Sequence, residues 1–283
     1  MDPIKLSEFL SLKIKEPESI VGGGWVLRDN LTFVIGPAKL GKSVFIANLA
    51  LALTVPSPFL GLFGVPRARR VLYIQQEVAT AEVQKRLRLM TKALPTNLEL
   101  YLWSERGLRL DTQSILERMR ENIAAVNPDV IILDPLRRFH GIDENSSQQV
   151  GRFVELLETF AEGRSIIIVH HTGKPNPEYQ QEGGYAGRGS SVWFDSGATY
   201  LNLQPLLNDW THQITFSKRY GEPLPKMTIE RDSSLLYHVT HINTGESVVG
   251  KVLVTMLHTP QMVESMYSPE QIREATEWVK RIQ

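Results

Sequence analysis

There is no cysteine in the 283 residues. That excludes disulfides, thiolate nucleophiles and cysteine-ligated metal sites, and it fits a cytoplasmic chain. Net charge is absent as well, because 31 lysines and arginines balance 31 aspartates and glutamates. No global basic field draws the chain to nucleic acid, so any such binding has to come from a local patch or a ring of copies. A long apolar run is also missing. The longest, residues 44–55, is interrupted by Asn48 and stops before Pro56. It is too short to span a bilayer, and no membrane partner is expected. Residues 1–20 scatter Asp2, Lys5, Glu8, Lys13, Lys15, Glu16 and Glu18 among apolar positions, which does not make a signal peptide. They read as an amphipathic arm whose Phe9, Leu10, Leu12 and Ile14 would pack on this domain or on a neighbour.

What is present centres on one stretch. The β-prone run Leu31-Thr32-Phe33-Val34-Ile35 breaks into Gly36-Pro37-Ala38-Lys39-Leu40-Gly41-Lys42-Ser43 and opens onto an apolar helical segment. This is the phosphate-loop pattern G-x-x-x-x-G-K-S, with the strand before it and the helix after it that the pattern requires. The two glycines let the backbone curl around a phosphate chain, and the free N–H groups of the loop and helix start face the anion. Residues 36–44, ending with Val44, would hold the nucleotide. Lys42 would reach the β- and γ-phosphates of ATP, and the Ser43 hydroxyl would bind Mg²⁺.

Beyond the loop, strands and helices alternate. A helix over about 42–55 ends at Pro56 and Pro58, and Val71-Leu72-Tyr73-Ile74 reads as a buried strand. Val83, Leu87, Met90 and Leu94 recur at helical spacing, and Asp111 is placed to cap the next helix. Val130-Ile131-Ile132-Leu133-Asp134 is a strand ending in a carboxylate. Ser146 or Ser147 starts another helix, and Ser165 to His171 form a further strand. This alternation predicts an α/β fold with a mostly parallel, twisted sheet flanked by helices. Residues 172–191 are rich in glycine and proline. Strands over 198–203, 212–217, 226–230 and 235–240 read as antiparallel additions to the sheet edge. Ser268-Pro269-Glu270-Gln271 is a capping-box start for a terminal helix over about 269–282.

Ligands of open α/β sheets bind at the carboxyl ends of the strands, and four such ends carry candidates. The loop is the first. Asp134 is the second, a carboxylate placed to hold Mg²⁺ directly or through water. Glu77, at the end of the strand expected beside the phosphate loop, is the third. It can orient and deprotonate the water that attacks the γ-phosphate. The fourth is His170-His171, where neighbours on a strand point to opposite faces, so one of the two can touch the γ-phosphate. Arg137, Arg138 and Arg188 lie on the same side of the sheet and suit phosphates of a nucleic-acid backbone. Lys218 and Arg219 end a strand as a cation pair, and a cation from an adjacent subunit can neutralise transition-state charge.

These motifs together resemble the RecA-like ATPases of the plasmid RepA type, ring-shaped hexameric replicative helicases grouped with a wider family of RecA-like AAA domains. The resemblance runs over about 20–230. It rests on the phosphate loop, Tyr73-Ile74-Gln75-Gln76-Glu77, Leu133-Asp134-Pro135-Leu136-Arg137-Arg138-Phe139-His140 with Glu144-Asn145, Val169-His170-His171, Arg188-Gly189-Ser190-Ser191-Val192 and Ser217-Lys218. The chain is expected to divide into the arm of 1–20, a RecA-like ATPase domain over 21–240 and a C-terminal extension of 241–283 that ends in a helix. The resemblance to this family places a RecA-like ATPase core in that central part. It implies ATP and Mg²⁺ at a subunit interface, Glu77 as base, His171 as sensor, single-stranded DNA in a central channel and a replication initiator or primase partner. Lys218 and Arg219 are adjacent here, whereas the finger motifs of DnaB-like helicases space the two cations by one residue. The alternative is a RecA- or KaiC-like ATPase that assembles on or remodels a partner without unwinding.

Overall fold

The computed structural model describes residues 2–171, 189–206, 208–244 and 247–282. Helix α1 (Leu6–Ser11) is followed by β1 (Ser19–Val21) and β2 (Val26–Leu27), which pair in a small antiparallel sheet. Then β3 (Leu31–Gly36), α2 (Lys42–Thr54), β4 (Val71–Gln75), α3 (Thr80–Met90), β5 (Leu100–Ser104), α4 (Gln113–Val126), β6 (Val130–Asp134), α5 (Ser147–Ala161) and β7 (Ser165–His171) alternate. Helix α6 (Val192–Ser196) leads into β8 (Thr199–Pro205), β9 (Thr211–Lys218), β10 (Lys226–Arg231) and β11 (Tyr237–Asn243). Three helices follow: α7 (Ser247–His258), α8 (Val263–Met266) and α9 (Pro269–Ile282).

The main sheet has nine strands in the order β11-β10-β9-β8-β3-β7-β6-β4-β5. β8, β3, β7, β6, β4 and β5 run parallel, while β9, β10 and β11 extend the edge antiparallel. The pattern is the mostly parallel α/β sheet of a RecA-like P-loop fold. Two expectations change. β8 was expected among the antiparallel additions, but it pairs parallel with β3, with Thr32 opposite Thr199. β4 is not beside the phosphate-loop strand, because β7 and β6 lie between β3 and β4.

Strand side chains alternate between two apolar layers, as a sheet covered on both faces requires. Val34, Tyr73, Ile132, Val169 and Leu201 pack with α2 on one face. Phe33, Leu72, Ile131, Ile168 and Tyr200 pack under α4, α5 and α6 on the other. α2 is buried nearly all round because the sheet lies on one side and the β10–β11 hairpin on another. Asn48 fixes that hairpin. Its amide donates to Leu235 O at 2.9 Å and its oxygen accepts from Tyr237 N at 3.0 Å.

The helix caps follow from local side chains. Ser146 caps α5 by accepting from Gln149 N, and Ser268 and Gln271 exchange hydrogen bonds at the start of α9 as a capping box. Asp111 does not cap α4. Thr112 occupies that position, and Asp111 instead accepts from Gly141 N at 2.6 Å, tying two loops together.

No residue of α1 is buried, and Phe9, Leu10, Leu12 and Ile14 of the arm are exposed. The chain joins the core at Glu18, which accepts from Arg28 at 2.6 Å and from the buried Arg69 at 2.7 Å, and at the buried Ile20. At the other end α7 lies so close to β11 that a Cβ on Gly250 would stand 2.1 Å from Ile242 O. Val252, Leu253 and Ala275 of α7 and α9 share the α2-side core. No helix among the described residues is long and apolar enough to cross a membrane.

Candidate functional site

The phosphate loop sits where β3 ends, between the tops of β8 and β7. Its two glycines are needed for different reasons. A Cβ at Gly36 would stand 2.5 Å from Leu203 O, so only glycine lets the loop lie against β8. Gly41 has φ +89°, a left-handed turn that delivers the chain into α2. The first turn of α2 carries no acidic side chain and no side-chain cap. Its leading amides are left to an anion.

Lys42 is almost fully buried and folds back over the loop. Its Nζ donates to Gly36 O at 2.8 Å and Pro37 O at 2.7 Å, and lies 3.1 Å from His171 Nδ1. Burial pulls its pKa down to about 8, against the opposing attraction of Asp134 and Glu77. Asp134 is buried at the end of β6. Its carboxylate accepts from Tyr73 Oη at 2.7 Å and from the Ser43 hydroxyl, yet burial still raises its pKa. The same burial, with the Asp134 charge beside it, pushes the Tyr73 phenol well up. A hydroxyl and a carboxylate oxygen side by side at a loop built for phosphate are the oxygen donors that Mg²⁺ takes. Ser43 and Asp134 therefore fit that ion.

Register decides the histidines. His170 lies opposite Ile35, is buried, and faces Trp193 with ring centroids 6.0 Å apart. His171 lies opposite Gly36 and turns to Lys42. Glu77 comes from further across the sheet than expected, but it lines the same cavity of about 420 Å³ as Lys39, Lys42, Ser43, Asp134 and His171. It reaches the site because Gln75 pairs with Asp134 and the chain turns there.

A second cavity of about 480 Å³ opens on the other side of Glu77 and His171, and it is lined by Arg106, Arg109, Arg137 and Arg138. Arg137 and Arg138 were expected on this side of the sheet, whereas Arg106 and Arg109 were missed. They follow β5, an edge strand that the gap between two helical patterns concealed. The run Leu100-Tyr101-Leu102-Trp103 was the available signal. Arg188 lies outside the described residues. Gly189 and Ser190, which follow it, dock on Glu144, with Ser190 N donating to Glu144 O at 2.6 Å.

Two further arginines were missed at the nucleotide cavity, Arg86 and Arg231. Arg231 comes from the β10–β11 hairpin. Its guanidinium lies over the indole of Trp210, 4.6 Å from the ring centroid, and one of its nitrogens lies near Gly41.

Lys218 and Arg219 are not brought to this site. Lys218 pairs with Thr199, which in turn lies opposite Thr32 at the far end of β3. Four residues of strand, about 13 Å, separate that end from Gly36. Lys218 Nζ donates to Gly23 O and, at 2.8 Å, to Glu222 O, and burial lowers its pKa. Arg219 is exposed, and its guanidinium donates to Asp195 O.

A family model described as an AAA domain matches residues 3–177, which carry the phosphate loop, Glu77, Asp134 and both histidines. The chain belongs to this AAA domain family. An AAA domain of this kind is a P-loop ATPase, and the geometry of Lys42, Ser43 and Asp134 agrees with that. The match ends before β8, so Lys218, Arg219 and Arg231 lie beyond it. No curated protein matches the chain significantly.

Proposed function

We propose that this AAA domain hydrolyses ATP as the motor of a ring of identical chains, hexameric by its RepA-type resemblance, that acts on single-stranded DNA in replication as a helicase. The observation that carries the reading is the shared wall between two cavities. Glu77 and His171 line both the phosphate-loop cavity and the arginine cavity. A strand held by arginines on one side would press on the groups that face the γ-phosphate on the other.

The chemistry follows from the placed residues. Amides of the loop and of the α2 start bind the phosphates. Lys42 leaves the carbonyls of Gly36 and Pro37 for the β- and γ-phosphates. Mg²⁺ held by Ser43 and Asp134 would supply charge neutralisation on the phosphate oxygens. Glu77 takes the proton of a water as its oxygen attacks the γ-phosphorus, and the bond to the β–γ bridging oxygen breaks to release ADP. His171 reads the presence of the γ-phosphate through Lys42. Lys218 and Arg219 are at the far end of the sheet from their own loop, so a finger role requires the nucleotide of a neighbouring copy. Site sharing of this kind makes turnover depend on assembly. The replication initiator or primase that would load such a ring is part of the same proposal.

The test is ATP hydrolysis measured with and without single-stranded DNA over a range of protein concentrations, alongside mass in solution. Stimulation by DNA, activity that rises with concentration and a hexamer mass are expected. Activity indifferent to DNA and to concentration favours the second reading, a RecA- or KaiC-like switch that remodels a partner without unwinding.

A further inference from the structure

The loop that carries Arg106 and Arg109 is tied to the residue beside Glu77. Gln76 is buried, and its side-chain amide makes a two-way bond to the backbone of Leu108. Nε2 donates to Leu108 O at 3.1 Å, and Oε1 accepts from Leu108 N at 2.8 Å. Gln76 N also donates to Asp134 O at 3.1 Å, so the bond ties the 105–110 loop to the Mg²⁺ carboxylate strand as well.

The loop has one fixed side and one free side. Leu108 and Leu110 are buried in the core with Met119 and Phe139, while Arg106 and Arg109 are exposed into the cavity. Gly107, at φ +82°, makes the turn between the two arginines. Arg137 and Arg138 face them from the loop after β6, and Glu77 is the one carboxylate among the cavity's lining residues. Arg137 has Glu144 3.8 Å away, yet four guanidiniums around Glu77 at a concave and partly open site leave a wall of net positive charge that suits an anion. Guanidinium forks suit phosphate oxygens.

We infer that the 105–110 loop is a phosphodiester-sensing element. A backbone phosphate of single-stranded nucleic acid draws Arg106 and Arg109 toward Arg137 and Arg138, and the Gln76–Leu108 bond carries that movement to Glu77. Gln76 is a positioning residue and Arg106 and Arg109 are strand-binding residues. The inference rests on the DNA-stimulated ATPase reading above.

The experiment uses the full chain and a fluorescent oligothymidylate, with binding read by anisotropy and ATP turnover read in parallel. Arg106→Ala/Arg109→Ala should weaken oligonucleotide binding at least ten-fold and reduce the slope of log affinity against log salt by about 1.4, since each single-strand phosphate contact accounts for about 0.7. Gln76→Leu, similar in volume, should bind the oligonucleotide normally but lose its stimulation, so that the ratio of stimulated to basal turnover falls toward one. Gln76→Asn provides a second, milder variant if Gln76→Leu folds poorly. A purely structural Gln76 would lower basal and stimulated turnover by the same factor and leave the ratio intact, which overturns the inference. Inorganic phosphate at equal phosphate concentration should not stimulate, and equal stimulation by it would make the cavity a free-anion site and overturn the strand assignment. If the wild-type protein is stimulated while the double variant matches it, only the inference fails. If the wild-type protein neither binds nor responds to the oligonucleotide, the motor reading fails with it.

Discussion

The side-chain nitrogen of Lys42, at the start of α2, lies 3.1 Å from Nδ1 of His171, at the end of β7, the strand paired beside the one that leads into the phosphate loop. A lysine ammonium can only donate, so His171 accepts through Nδ1. In the proposed mechanism, movement of Lys42 toward a γ-phosphate would release the imidazole, and loss of the phosphate would restore the contact.

The first prediction follows from that contact. His171→Ala should leave ATP affinity within about three-fold while lowering turnover ten-fold or more, because binding rests on the loop amides and Lys42. Kd by calorimetry and kcat by phosphate release separate the two effects. An equal loss in both would make His171 a binding residue instead.

Lys218 and Arg219 should behave differently although they are adjacent. Lys218 is half-buried and donates to two backbone carbonyls, so Lys218→Ala should cost about 1–3 kcal/mol in denaturant unfolding. Arg219 is exposed, so Arg219→Ala should change stability by less than about 0.5 kcal/mol. In mixtures with wild-type chains, Arg219→Ala should lower ATPase activity more than its mole fraction. Activity that falls in simple proportion would remove Arg219 as a finger acting on a neighbour.

Arg231 and Trp210 offer a direct optical signal. The guanidinium that covers the indole also borders the phosphate-loop cavity, and its Nε is buried without a hydrogen-bond partner among the described residues. Nucleotide binding should disturb the pair and change tryptophan emission, and Trp210→Phe should abolish that change. Arg231→Ala should weaken ATP about ten-fold, the scale of one charge-assisted contact. Unchanged emission and affinity would leave Arg231 as a hairpin residue only.

His140 supplies the pH prediction. It is fully buried between Phe153 and Trp193, at 5.0 and 5.8 Å between ring centroids, with Glu144 3.7 Å away. Burial, then the nearby Arg137 and His170 charges, pull its pKa down to about 4, with Asp111 pulling weakly the other way and Arg109 adding to the fall. The unfolded chain therefore takes up a proton near its ordinary value of 6.5 that the folded chain refuses until about pH 4. Stability contributed by the neutral ring is intact above pH 6.5 and falls as pH drops, by up to about 1.4 kcal/mol per unit. His140→Phe should flatten that part of the curve. An unchanged slope in the variant would assign the acid sensitivity to other groups.

The phosphate loop, the alternating core and the capped terminal helix were legible in the sequence because each is a local pattern. Gly36 to Ser43 has fixed spacing, and Ser268 to Gln271 closes its own cap. Strand order is not local. Glu77 reads as a neighbour of the loop in the chain, yet two strands intervene, and only the sheet shows that the cavity still brings them together. Helix α7 was hidden by its own composition. Val248, Val249, Val252 and Val254 favour strands, and Gly250 lowers helix propensity, but close packing on β11 overrides both. Arg106, Arg109 and Arg231 carry no motif, and their place at the two cavities comes from tertiary packing alone.

The most direct test of the central claim is Glu77→Gln, assayed for ATP binding and for hydrolysis on the same preparation. The substitution keeps the size of the side chain and removes its capacity to take a proton. ATP binding should persist while turnover falls by about 10² or more, the usual contribution of a general base. Hydrolysis near the wild-type rate in a variant that binds ATP would contradict the role of Glu77 at this site.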